Sequence, residues 1–344
     1  MLKSLAQKIK NADNIILSTH RQCDGDGLGS EIALYHALKK LNKKVRILNV
    51  DATPKKYQFL DSASIIEINE DQPRNVGKTD LVLIFDTNDS RLLEPLFSEF
   101  QSQAKEILFI DHHPVLVQGP SPTDGSFINT LAASTGEITY EIIQLLGVAL
   151  DRNIARALYT SIAFDTQLFR FVRNSSKSHL MAAELLKHDI QAEDIHIKLF
   201  GNYTVKKMEF LAHALSQIEY FSNGELAILK LNAKDLLKFS IDSDDSNDVI
   251  DMLMNIQSLQ AAALLREDGP QKFKLSLRSK GQFDVLKIAE SLGGGGHLFA
   301  SGAYLTGTYD VLKHKVLDAL TFALDHSSGA HSHSSTQNKT HESA

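Results

Sequence analysis

The segment His20-Arg-Gln-Cys-Asp24-Gly-Asp26-Gly-Leu-Gly-Ser30 follows the apolar run Ile15-Ile16-Leu17 and sets one imidazole and two carboxylates among three glycines. Negative charge concentrated in one loop costs stability unless a cation neutralises it. Three further clusters repeat the pattern. Asp86 closes Leu81-Val82-Leu83-Ile84-Phe85, Asp111-His112-His113 closes Ile107-Leu108-Phe109-Ile110, and Asp165 closes Ser161-Ile162-Ala163-Phe164. Carboxylate and imidazole donors suit a borderline or hard divalent ion such as Mn²⁺, whereas the single cysteine, Cys23, offers no thiolate set for structural zinc. Two such ions, about 3.5–4 Å apart, share a carboxylate, activate water and clamp the oxygens of a phosphoryl group. Each cluster alone reads equally well as an ordinary Asp-Gly turn or a helix cap. The ordered set of four does not.

Acids at the carboxyl ends of apolar segments point to an open α/β sheet, which places its ligands there. Strand-like runs at 14–19, 44–50, 81–86 and 106–110 alternate with helical spacing at 30–41, 91–104 and 134–147. Ser30 is the expected N-cap of the first helix. The alternation predicts βαβ units and a mostly parallel sheet. Residues 177–218 are helical in pattern and carry the connection between domains, with a boundary near 185–205. Beyond it, strand patterns at 225–231, 259–265 and 272–278 and helical ones at 245–256, 283–291 and 309–325 predict a smaller α/β domain. The tail from His326 is rich in Ser and His, lacks periodicity and is expected to be disordered.

The chain has 344 residues, 43% hydrophobic and 23% charged, as in a soluble globular protein of two domains. A net charge of −6 excludes a surface that embraces nucleic acid throughout, so any polyanion contact is local. The lone cysteine excludes an intramolecular disulfide framework and fits a reducing compartment. No run of eighteen apolar residues and no signal-peptide pattern occur, so a cytoplasmic protein is the default. Lys272, Lys274, Arg278, Lys280 and Lys287 make the clearest basic patch, in which Arg278 is singled out for phosphate. The run Gly293 to Gly296 can expose successive N–H groups as an anion nest, with Gly294, Gly295 and Gly296 joined by a donor from His297. Arg170 contacts phosphate or forms a surface ion pair. Ser134-Thr-Gly-Glu137 reads as a capping motif. Asp242, Asp244, Asp245, Asp248 and Asp251 lack the spacing of a calcium loop and read as a solvated turn and helix start.

Together these motifs resemble the DHH family of phosphoesterases, named for the triplet found here as Asp111-His112-His113. Gly293-Gly-Gly-Gly-His297-Leu-Phe-Ala300-Ser-Gly302-Ala is similar to the glycine-rich signature of its DHHA1 domain. The likeness spans nearly the whole chain and is greatest to the short, two-domain nanoRNase and adenosine 3′,5′-bisphosphate (pAp) phosphatase branch. It implies an α/β fold with a larger DHH domain over 1–190, a helical linker over 191–215, a DHHA1 domain over 216–325 and an active site in the cleft between the domains. By position it implies one metal on His20, Asp24 and Asp86 and another on Asp26, Asp86, His112 and Asp165, with Asp86 as bridge. Asp111 would then orient His112, His113 would reach the substrate phosphate, and Ser134 would lie near the site. The implied cofactors are two divalent ions, Mn²⁺ by preference. The implied partners are short RNA or DNA oligonucleotides and pAp-like nucleotides, with no membrane and with a homodimer as a compatible assembly. Cys23 stands where the family often has Pro, and Phe164-Asp-Thr-Gln167 replaces Thr-Asp-Thr-Gly, changes of loop shape that remove no ligand. A cyclic-dinucleotide phosphodiesterase and a nucleotide sensor with a vestigial site are the competing readings.

Overall fold

The computed structural model describes residues 1–61, 63–69, 76–116, 119–241, 244–281 and 283–327. The chain divides into two compact units, Met1–Asn202 and Tyr203–Ala344.

In the first unit the apolar runs become strands β1 Asn14–Thr19, β2 Lys44–Asn49, β3 Ile66–Ile68, β4 Thr79–Phe85, β5 Ala104–Asp111 and β6 Phe127–Ile128. Their order is β3-β2-β1-β4-β5-β6, and every pairing described is parallel. Side chains alternate between two buried faces. Ile15, Leu17, Leu81, Leu83 and Phe85 join one core, while Ile16, Val82 and Ile84 join another. Helices α1 Leu2–Asn11, α2 Gly25–Lys40, α4 Thr135–Leu146 and α5 Arg152–Asp165 cover the first face, and α3 Leu96–Gln103 covers the second. Helices α6 Lys177–Leu185 and α7 Ala192–Phe200 complete the unit. The strand order reverses direction between β1 and β4, which makes their carboxyl ends the topological switch point of the sheet.

Two expectations change here. Helix α2 begins at Gly25, five residues before the expected start, and its N-cap is Asp24, whose Oδ1 accepts the N–H groups of Asp26 (2.9 Å) and Gly27 (3.3 Å). Ser30 is therefore inside the helix. The glycines that read as turn residues let the helix start press against Phe164, Thr19 and Ala157, where a Cβ at 25, 27 or 29 would collide. Asp165, grouped above with the strand-end acids, is instead the last residue of α5.

The second unit holds α8 Val205–Leu215, β7 Glu219–Phe221, β8 Leu226–Leu231, α9 Ala233–Phe239, α10 Asp248–Leu253, β9 Ala261–Gly269, β10 Lys272–Ser279, α11 Val285–Ser291, β11 Gly295–His297, β12 Ala300–Thr306 and α12 Tyr309–Ser327. Its sheet runs β11-β12-β10-β9-β8-β7, with β8 and β9 parallel and the rest antiparallel. The stretch 191–215, expected as a linker, is shared out instead. Ile195 and Leu199 of α7 pack into the core of the first unit, and Phe210, Leu211 and Ala214 of α8 pack into that of the second. Helix α12 extends the expected 309–325 to Ser327, and the tail beyond it lies outside the described residues. No helix among the described residues is long and apolar enough to cross a membrane.

Candidate metal centre

Four chain segments end at the switch point and carry the acid and imidazole groups there. His20 follows β1, Asp24 and Asp26 open α2, Asp86 follows β4, and Asp111 ends β5 with His112 and His113 just beyond it. Asp165 arrives from the end of α5. Asp86 turns one carboxylate oxygen each way: Oδ2 lies 3.6 Å from His20 Nε2, and Oδ1 lies 3.6 Å from His112 Nε2. Asp24 Oδ2 stands 4.0 Å from His20 Nε2. On the other side His112 Nε2 faces Asp26 Oδ2 at 3.6 Å and Asp165 Oδ2 at 3.4 Å. Among the described residues the groups that could hold an ion include His20/Asp24/Asp86 and Asp26/His112/Asp165, and Asp86 turns an oxygen to the histidine of each. The Asp86 backbone is left-handed, with φ +62°, a conformation that costs a non-glycine residue free energy and is concentrated at functional sites.

Ring orientation shows what these groups fit. His20 Nδ1 lies 2.8 Å from the Arg21 carbonyl, and His112 Nδ1 lies 3.2 Å from the Ala132 carbonyl. A carbonyl needs a donor, so Nδ1 carries the proton and Nε2 turns its lone pair towards carboxylates. Those distances exceed a hydrogen bond and match two ligands spanning one cation. Burial, opposed by three hydrogen bonds, still pushes Asp26 up to about 6. Burial and the neighbouring carboxylates drive Asp86 and Asp165 well above the usual range. Burial and the adjacent His113 hold His112 down to about 3, so its imidazole is neutral, as a ligand requires. Carboxylates that resist ionisation together, beside the neutral His112 imidazole and with no thiolate, are a donor set that suits divalent cations.

Asp111 does not orient His112 as expected. Its Oδ1 accepts the backbone N–H of His112 (2.7 Å) and of His113 (3.1 Å), and the ring Nδ1–H of His113 at 2.8 Å. The ring it fixes is that of His113. Burial opposes charge on His113, but Asp111 outweighs it and raises the imidazolium pKa to about 9. Asp111 is in turn held by Asn88 Nδ2 at 2.6 Å.

Ser134 is the cap that its motif suggests: its Oγ accepts the Glu137 N–H at 3.3 Å, and Glu137 Oε2 accepts the Ala133 N–H at 3.2 Å. Sequence reasoning missed what this cap aims. The next two N–H groups of α4, from Thr135 (2.7 Å) and Gly136 (3.1 Å), donate to Asp26, and Thr135 Oγ1 donates to Asp86 Oδ1 at 3.1 Å. Ser161 Oγ is a third donor to Asp26. Its signal was available, because Ser161 and Asp165 lie four apart on one helix face. The ordinary reading of Ser134-Thr-Gly-Glu137 as a cap obscured Thr135 and Gly136. A Cβ on Gly136 would stand 2.0 Å from Ser161 Oγ. Gly136→Ala is therefore expected to cost about 1–3 kcal/mol, read as a lowered melting temperature.

Arg170 is exposed, and its guanidinium lies over the Phe171 ring at 5.1 Å. Arg173, three residues on, places positive charge near His112 and Asp165.

In the second unit the glycine run does not form the expected nest. Gly293 N–H donates to Glu290 O (3.0 Å) and Gly294 N–H to Ala289 O (2.8 Å), the paired bonds that end α11, with Gly293 at φ +81°. A Cβ on Gly294 would meet the Gly302 carbonyl at 1.9 Å, so this glycine serves packing. Gly295, Gly296 and His297 continue as β11, pairing with Gly302, Ser301 and Ala300. Ala300 also pairs with Arg278 of β10, so Arg278 and His297 share a register row on either side of a small residue. Arg278 Nε donates to Asp251 at 2.7 Å. Asp248, also of the acidic cluster, pairs with the buried Lys207 at 2.6 Å. Asp242 lies outside the described residues.

Comparisons with known proteins agree with this arrangement. Residues 14–162 match the DHH family, N-terminal domain, and residues 223–325 match the DHHA1 domain. The chain is 28% identical to the bifunctional oligoribonuclease and PAP phosphatase NrnA of Thermus thermophilus, over 93% of each protein. It is 26% identical to the NrnA of Bacillus subtilis so described, over 95% of this chain and all of that one. An exopolyphosphatase-related protein from Bacteroides fragilis superposes with a TM-score of 0.83 at 23% identity, covering 94% of this chain and 97% of that one. With both domain types present in order on a matching fold, the chain belongs to the DHH/DHHA1 family of phosphoesterases.

Proposed function

We propose that this chain is a divalent-metal phosphoesterase, with Mn²⁺ as its ion, that releases mononucleotides from short oligoribonucleotides and dephosphorylates pAp-like nucleotides. The observation that carries the reading is Asp86, which presents one oxygen to each of two donor groups. The names of the relatives from Thermus thermophilus and Bacillus subtilis support the substrate class.

Divalent ions bound there would supply a water of lowered pKa and charge to offset that of the phosphoryl oxygens. His20 and Asp24 would hold one ion, Asp26, His112 and Asp165 the other, and Asp86 would serve both. Thr135, Gly136 and Ser161 fix the Asp26 carboxylate so that it need not reorganise. With Nδ1–H committed to Asp111, His113 offers its Nε2–H to the phosphate or to the leaving oxygen. From the second unit, Arg278 and His297 bind a remote phosphate. Asp251 takes the Nε–H of Arg278 and the Leu277 carbonyl accepts from Nη1 at 3.1 Å, so Nη2 is the nitrogen turned to that task.

Two experiments test this. Purified protein with Mn²⁺ is offered pAp, a labelled RNA dinucleotide, a longer RNA, a cyclic dinucleotide and pyrophosphate. The first two should turn over fastest, and a chelator should stop both. Faster hydrolysis of pyrophosphate or cyclic dinucleotide would overturn the substrate assignment, and no turnover with any divalent ion would overturn the enzyme. In the second, Arg278→Ala or His297→Ala should lower kcat/KM for pAp and the dinucleotide by roughly ten- to a hundredfold, the worth of one charge-assisted contact. Bis-p-nitrophenyl phosphate, which has no remote phosphate, should change less than about threefold. Equal losses on both would place these residues in folding instead.

A further inference from the structure

Behind the metal-facing residues runs a buried chain of polar contacts that the proposed chemistry does not use. Thr19 is the last residue of β1, next to His20, and it pairs across the sheet with Phe85, next to Asp86. Its Oγ1 donates to the Phe85 carbonyl at 3.0 Å. On its other side the parallel ladder to β2 ends at Leu17 and Ile47, two residues short of Thr19. There the side chain of Asn49 substitutes for the ladder: its Oδ1 accepts the Thr19 N–H at 3.1 Å. Asn49 Nδ2 then donates to Glu31 Oε1 at 2.7 Å, on the helix whose cap and first turn are Asp24 and Asp26. Thr19, Asn49 and Glu31 are each at most 1% exposed.

Such a chain does not arise from packing alone, because apolar side chains of the same shape would fill these positions without its desolvation cost. What it does accomplish is mechanical. The ends of three adjacent strands and the second turn of α2 become one hydrogen-bonded unit, and the residues next in sequence or in the cap and first turn of that helix are His20, Asp86, Asp24 and Asp26. Strand ends left to themselves open locally, whereas metal ligands must be held to within about 0.5 Å.

We propose that Thr19, Asn49 and Glu31 form a positioning unit for the metal centre, holding the two strand ends that bear His20 and Asp86 in register with each other and with helix α2, whose cap and first turn carry Asp24 and Asp26. This rests on the metal-centre reading above. Burial pushes the Glu31 carboxyl well above the usual range, so a neutral amide can stand in for it.

The test measures Mn²⁺ affinity directly, by the electron paramagnetic resonance signal of free ion during titration of the full chain, with circular dichroism to confirm folding. Asn49→Ala and Thr19→Val should each weaken Mn²⁺ binding by roughly ten- to a hundredfold, the range for removing a partner that orients a ligand. Glu31→Gln and Thr19→Ser keep the contacts and should remain within about threefold of the wild type. A folded Asn49→Ala protein with wild-type affinity overturns the proposal, and so does a Ser variant as weak as the Val variant. Should Asn49→Ala not fold, the Val and Ser pair at position 19 decides alone. His20→Ala is the control for the underlying reading: if it binds as much Mn²⁺ as wild type does, the metal centre itself is misassigned.

Discussion

Asp86→Ala is expected to abolish turnover, by roughly 10⁴-fold or more, the scale on which enzymes lose activity when a group shared by the whole catalytic unit is removed. In the proposed centre each other ligand would serve one ion, so its loss would leave the second ion's donors in place. Asp86 belongs to both, through Oδ2 towards His20 and Oδ1 towards His112. Its carboxylate is nearly closed to solvent and held by Thr135 Oγ1, so no neighbouring side chain can swing into its place. Metal analysis of the folded variant should show both ions lost or weakened together, and raising Mn²⁺ should not restore the rate. Near-wild-type kcat at saturating Mn²⁺ would remove Asp86 from the shared role. His20→Ala is the comparison: it should impair one ion far more than the other.

The positions proposed as ligands stand out in the sequence because each is a polar group that interrupts or ends an apolar run; for His20, Asp86 and Asp111 that run is a strand, whereas Asp165 ends a helix. The βαβ alternation was legible for the same reason. What escaped sequence reasoning depends on approach distances and ring rotations, which residue spacing does not encode. Gly25-Asp-Gly-Leu-Gly has poor intrinsic helix propensity and reads as a turn, yet it forms the first turns of α2 because close contact with Phe164, Thr19 and Ala157 leaves room only for glycine. Asp111 sits next to His112 in sequence but reaches back to the ring of His113. Four successive glycines suggested exposed N–H groups, but the first two close the end of α11. Arg170 and Arg173 are indistinguishable in composition, and only the fold of the loop after Asp165 decides which one's charge bears on the site.

The same crowding of carboxylates makes the second large effect one of stability, with a sign opposite to that of Asp86→Ala on activity. A carboxyl whose pKa is raised by folding contributes most below its unfolded value near 4 and loses that contribution as pH rises through the folded value. For Asp26, raised from 3.8 to about 6, the loss is about 3 kcal/mol, or roughly 6–12 °C in melting temperature for a unit of this size. Asp86 and Asp165 shift in the same direction. Metal-free protein should therefore weaken between pH 5 and pH 8, while the metal-loaded form should not, because bound cations neutralise the carboxylates they require to be ionised. The gap between the two melting temperatures should be wide at pH 8 and narrow at pH 5. Asp86→Asn removes one of the competing charges, so at pH 8 the metal-free variant should melt above the metal-free wild type although it has no activity. Thermal denaturation of both proteins, with and without chelator at the two pH values, checks this. Equal gaps at both pH values, or a metal-free Asn variant less stable than the wild type at pH 8, would mean that the carboxylates are stabilised by protein contacts and do not await a cation.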